Sequence, residues 1–127
     1  MQKVTRSILL VSALLIATAG ITFAATALSL TNVRNASQLI WNNREDLTQQ
    51  IVEDAIETID SNADNVEYVV STHDYGFGET VQEVEVTFET TGTWKYSRYA
   101  YYLKGFGIFN LKVYNGNATL SIFMNER

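Results

Sequence analysis

The chain has 127 residues, 46% of them hydrophobic, with no cysteine, no proline, one histidine and a formal net charge of -5. That excludes disulfides, thiolate metal sites and a His-rich zinc centre, and it leaves a Ser-His-Asp site only His73 to draw on. A chain this short holds one small domain, and its acidic balance argues against nucleic acid as a partner.

Residues 7–30 carry no charge over 24 positions. As a helix this run spans roughly 36 Å, enough to cross a bilayer core of about 30 Å. Lys3 and Arg6 precede it, and the positive-inside rule places that end in the cytoplasm and the rest of the chain outside. The competing reading is a cleaved signal, with small-x-small sites at 17–19 and 25–27. The chain therefore divides into 1–30, an N-terminal membrane anchor or leader, and 31–127, an extracytoplasmic helix plus an antiparallel β domain. The expected localisation is the cell membrane, single-pass, with the C-terminal domain outside; a surface filament and secretion are the alternatives.

Residues 33–60 read as an amphipathic helix. Leu47, Ile51, Ala55 and Ile59 build one stripe at steps of four, and Arg44, Glu45, Gln49, Glu53 and Glu57 lie opposite. No Gly or Pro falls between Ile21 and Tyr75, so the apolar and amphipathic halves predict a single rod over 7–60. Thr31-Asn32 is its one candidate break. Asp60-Ser61-Asn62 then ends the helix. Asp60-x-Asn62-x-Asp64 has the spacing that opens a calcium loop, but Asn65 replaces the turn glycine and Ser71 stands where a bidentate Glu belongs, so it reads as a helix C-terminal turn.

Beyond Asn65 the period becomes two. Val84, Val86 and Phe88 alternate with Glu83, Glu85 and Glu89. Residues 94–103 are rich in Tyr, a strand former. Segments 106–114 and 118–124 flank Asn115-Gly116, a strong hairpin signal. The predicted fold class is α+β: a long N-terminal helix, membrane half plus amphipathic half, packed on a 4–5 stranded antiparallel meander sheet.

No catalytic constellation appears. His73 beside Asp74 reads as a loop histidine, and no cofactor, metal or small-molecule substrate is assigned. The candidate interaction residues are Trp94, Tyr96, Arg98, Tyr99, Tyr101, Lys104 and Lys112. In 94–102 aromatics interleave with cations, the composition of a strand that stacks on sugars or bases or forms an intersubunit contact; the alternative is a cross-strand aromatic cluster shielded by Lys and Arg. Asn35-Ala36-Ser37 and Asn117-Ala118-Thr119 match the N-glycosylation triplet, at chance frequency for so Asn-rich a chain.

Charge is split along the chain: 13 acids and no Lys or Arg lie between Glu45 and Glu89, then four cations and no acid between Lys95 and Lys112. Glu83, Glu85 and Glu89 are expected to face Lys95 and Arg98 across a turn at Thr91-Gly92, with surplus acid left for another subunit's Lys104 or Lys112.

The layout of basic leader, apolar helix half, amphipathic half and antiparallel sheet resembles the type IV pilin-like proteins. Arg6-Ser7 is similar to the basic-then-small pair before the processing point of archaeal members, and Ile8 would begin the mature helix. Ser7 and Ser12 depart from the Gly and Glu of bacterial members. The resemblance implies a membrane-anchored subunit of a surface filament, partnered by the membrane and by copies of itself or other envelope subunits. The alternative is a small anchored or secreted domain that recognises a glycan or protein through its aromatic strand. A third reading is an accessory subunit of a membrane complex.

Overall fold

The computed structural model describes residues 26–76 and 78–124. Two helices, α1 (Leu30–Asn42) and α2 (Gln49–Ile59), precede five strands: β1 (Asp64–Gly76), β2 (Glu79–Glu89), β3 (Tyr101–Tyr102), β4 (Gly107–Tyr114) and β5 (Asn117–Met124). The described chain is mostly β.

The helices are short because the sequence caps them from within. Ser29 adopts an extended conformation and its side chain accepts the Asn32 N–H (3.2 Å), so α1 starts there. Thr48 does the same for Ile51 (3.2 Å) and starts α2 after a turn over residues 43–48. These two caps replace the expected continuous rod. Its supposed membrane half also ends differently. Thr26, Ala27 and Leu28 are extended, with Ala27 bridging Thr93 and the Leu28 N–H donating to the Thr93 carbonyl (2.8 Å). Leu28 is buried in the domain core.

The long N-terminal helix is therefore not the architecture. No helix among the described residues is long and apolar enough to cross a membrane. The single-pass transmembrane reading, and the cell-membrane localisation drawn from it, are corrected accordingly. The pilin-like layout required one long helix laid on the sheet, and the described residues form two short helices instead. Residues 1–25, which hold most of the apolar run, lie outside the described residues.

All strand pairs are antiparallel, in the order β1-β2-β5-β4-β3. This is not the expected meander. β1-β2 is one hairpin and β3-β4-β5 is a second unit, inserted so that β5 pairs with β2. The chain after β2 crosses to the far edge before returning. Asn115 (φ 50°) and Gly116 (φ 77°) form the tight β4–β5 turn, the left-handed pair that a two-residue hairpin requires.

Both helices cover one face of the sheet. Val33, Ala36, Ile40 and Trp41 of α1 and Val52, Ala55, Ile56 and Ile59 of α2 pack with Val84, Val86, Phe88, Phe109, Leu111, Leu120 and Ile122. The tightest contact is Trp41 against Gly107: a Cβ on that glycine would meet the indole Cε2 at 2.8 Å. The indole N–H donates to the Gly105 carbonyl (3.2 Å), and the Arg44 guanidinium lies 4.1 Å from the indole centroid on the ring face. Gln38 clasps the same turn, accepting the Lys104 N–H (2.9 Å) and donating to the Lys104 carbonyl (3.2 Å).

Two outcomes check this packing. Gly107→Ala should destabilise the fold by about 1–3 kcal/mol in denaturant titration, because the ring has no room to retreat in a filled core. Trp41→Ala should be worse, about 3–5 kcal/mol.

Candidate interaction surface

Among the described residues, the opposite face of the sheet carries no helix. Alternation sends residues Glu67, Val69, Ser71 and His73 of β1, Glu83, Glu85, Thr87 and Glu89 of β2, Thr119, Ser121 and Phe123 of β5, Ile108, Asn110 and Lys112 of β4, and Tyr102 of β3 to this side. The register aligns them in rows. One row runs Ser71, Glu83, Phe123, Ile108, Tyr102, and its β5-β4-β3 part is a continuous apolar stripe. Tyr102 is 72% exposed, while Ile108 and Phe123 are half-buried. The next row runs Val69, Glu85, Ser121, Asn110. Asn110 ties in the segment before β3 by donating its amide to the Tyr99 carbonyl (2.5 Å).

The face is therefore polarised. The β1-β2 half is acidic, while the apolar side chains Phe123, Ile108 and Tyr102 lie across β5, β4 and β3, with Lys112 further along β4. The expected pairing of Glu83, Glu85 and Glu89 with Lys95 and Arg98 does not occur, because β2 is flanked by β1 and β5 and not by the segment after Gly92. Opposite these acids in register stand Phe123, Ser121 and Asn117 on β5. Glu83 contacts His73 (2.8 Å), and the Asn65 amide donates to Glu89.

The sequence-predicted interaction residues separate into two groups. Trp94, Tyr96 and Tyr101 turn inward. Tyr96 meets Trp94 (5.0 Å) and Tyr101 (6.0 Å) edge to face, and Tyr101 stacks on Phe109 (5.5 Å). Trp94 is buried, its indole N–H without a partner among the described residues. Trp94 belongs to the core, and the half-buried Tyr96 and Tyr101 pack against it. Arg98, Tyr99, Lys104 and Lys112 are exposed. Residues 95–98 form a turn, and β3 shrinks to two residues. Tyr102, Ile108 and Phe123 were missed. Their signal was the period-two partner of an inward residue: Tyr102 beside Tyr101, Ile108 beside Phe109, Phe123 beside Ile122.

Two open polar clefts of about 340 and 330 Å³ adjoin at the far end of the sheet and share Asn62 and Thr91. Asp60 lies there with both carboxylate oxygens engaged, Oδ1 by the Asn62 N–H (2.9 Å) and Oδ2 by the buried Thr90 hydroxyl (2.6 Å). The Asp60-x-Asn62-x-Asp64 spacing thus serves the turn that ends α2. No group of three His, Cys, Asp or Glu among the described residues is placed to hold a metal.

Comparison with family models, curated proteins and solved structures finds no match for this chain.

The inward and outward tyrosines differ in what they support. Tyr101→Ala should lower stability by about 2 kcal/mol, since it removes a ring from a packed aromatic chain. Tyr102→Ala should change it by less than about 0.5 kcal/mol. Parallel chemical denaturation of the two variants reads this directly.

Proposed function

We propose that this chain is a non-enzymatic binding domain whose open sheet face recognises a protein partner. The observation that carries the reading is the stripe Tyr102-Ile108-Phe123 beside the glutamates of β2. It is an apolar strip with acidic side chains on its β2 side, on a face that the described helices leave uncovered. Exposed apolar strips rimmed by polar groups mark interaction sites. The preferred partner surface has an apolar centre and a basic margin, which would meet Glu83 and Glu85.

A protein fits this strip better than a glycan. Sugar sites flank a bare ring with free planar hydrogen-bonding groups. Here an aliphatic side chain sits between the rings, and the nearest amide, Asn110, already donates within the domain.

Photocross-linking tests the proposal. A photoreactive residue at Tyr102 should capture one partner protein in native extract, and the same residue at Gln50 on the exposed side of α2 should not. Ile108→Ser and Glu85→Lys should each weaken that capture about tenfold or more, the range of interface hot spots. Equal capture at both positions, or capture indifferent to the two substitutions, rejects the open face as the binding site.

A further inference from the structure

Among the described residues β1 is an edge strand, paired only with β2, and it runs 13 residues. Edge strands present unpaired backbone donors and acceptors, and proteins blunt them with Lys, Pro or bulges. β1 has register shifts between Asp64 and Glu67 and between Asp74 and Gly76, which leave 67–74 as an uninterrupted regular stretch. That stretch contains no Lys and no Pro. At its centre Val69 is 61% exposed and Val70 is 40% exposed, on opposite faces of the sheet. Just before it, the Val66 carbonyl is satisfied by the Gln49 side chain (2.7 Å), and the Tyr68 hydroxyl donates to the Leu47 carbonyl (3.1 Å). Among the described residues the domain thus covers the start of the edge itself and leaves the valine segment without such a cover.

We propose that β1 pairs antiparallel with β1 of a second copy about a twofold axis at Val70, joining two five-stranded sheets into one. Symmetry requires the same strand on both sides, and the alternation of faces allows register shifts only in steps of two residues. With Val70 on the axis, Val70 meets the partner's Val70 and Val69 meets the partner's Ser71. Glu67 then stands opposite the partner's His73, twice over. That places an imidazole between its own Glu83 (2.8 Å) and the carboxylate from across the axis. The two neighbouring registers do worse. Val69 on the axis sets Glu67 against the partner's Ser71 and leaves the His73 position facing Asn65. Ser71 on the axis sets Asp74 against the partner's Tyr68. Only the register with Val70 on the axis gives each Glu67 an imidazole directly opposite it. The pairing uses the strand edge and not the open face, so it stands or falls separately from the binding proposal.

The full chain contains no cysteine, so one introduced thiol reports the register. Directly opposed residues of antiparallel strands lie about 4.5–5.5 Å apart, within disulfide range, whereas two copies of Thr72 would be displaced by about 13 Å along the strands. Under mild oxidation, Val70→Cys should form a covalent dimer at least tenfold faster than Thr72→Cys. Sedimentation of the full chain should show a concentration-dependent dimer. Glu67→Lys should weaken it roughly three- to tenfold, the effect of two cross-strand pairs. Val70→Lys should abolish it while the circular dichroism spectrum of the folded domain is retained. A monomer at all concentrations, equal cross-linking at the two positions, or an unchanged dimer in Val70→Lys overturns the proposal.

Discussion

The Trp41–Gly107 contact fixes how the helices meet the sheet, and most of the molecule follows from it. Gly107 opens β4 at the point where a side chain would strike the indole, so the ring lies directly on the strand backbone. The indole N–H and the Gln38 amide then hold the backbone of the β3–β4 turn at Gly105 and Lys104. Both residues come from the last turns of α1. A helix seated this firmly at the β4 end leaves α2 to cover the β1-β2 end, which it does through Val52, Ala55, Ile56 and Ile59. Arg44 closes the contact from outside. Its guanidinium lies over the ring and donates to the Trp41 carbonyl (2.8 Å), which also accepts the Arg44 backbone N–H (3.2 Å) at the end of α1.

Two helices of this length suffice for one sheet face only. The aromatic chain Trp94-Tyr96-Tyr101-Phe109 extends the covered side toward β3, and Arg34 of α1 reaches over the Tyr101 ring (5.7 Å) to roof it. Nothing comparable lies over the other face among the described residues. The alternation that buries Phe109 and Ile122 must also present Ile108 and Phe123 outward, because successive strand residues point to opposite sides. A polar residue at those positions would have made an ordinary solvated sheet. The sequence places large apolar side chains there instead, half-buried on the open face.

What could be read from the chain depended on how local the determining interactions were. The Asn115-Gly116 hairpin and the alternation of Val84, Val86 and Phe88 are set by neighbours in sequence and by a turn with few backbone solutions. The apolar stripe of α2 has the same local origin. The helix breaks were also written locally, in Ser29 and Thr48, but the absence of Gly and Pro masked them: a serine or threonine ahead of an apolar run is both a tolerable interior residue and a cap, and only tertiary packing decides. Strand order was not legible. Whether β2 pairs with the next strand or with β5 depends on contacts that no local pattern encodes, and the meander was the simplest chain-order solution. The aromatic segment failed for the same reason. Its composition suits a strand, yet Tyr96 is drawn out of line to bridge Trp94 and Tyr101, and residues 95–98 turn instead of extending. Of the proposed surface, Lys112 and the glutamates of β2 were visible, while the apolar stripe was hidden among residues that also looked like core.

The acids of β2 acquire a meaning once the topology is known. Placed against Lys95 and Arg98 they would have been a local electrostatic pairing worth little on an exposed sheet. Placed instead against Phe123, Ser121 and Asn117, they form a one-signed field along half of the open face. Such a field repels an identical face laid in parallel register, so it opposes indiscriminate stacking of the apolar stripes of two copies. It also attracts a basic partner to the same stripe. At the β1 edge the field is interrupted, because Val69, Val70 and Ser71 carry no charge and His73 is the only histidine in the chain. The distribution of charge thus distinguishes the open face, acidic along β2, from the uncharged centre of the β1 edge. Neither place competes with the helix-covered side, where the burial that holds the fold together is concentrated.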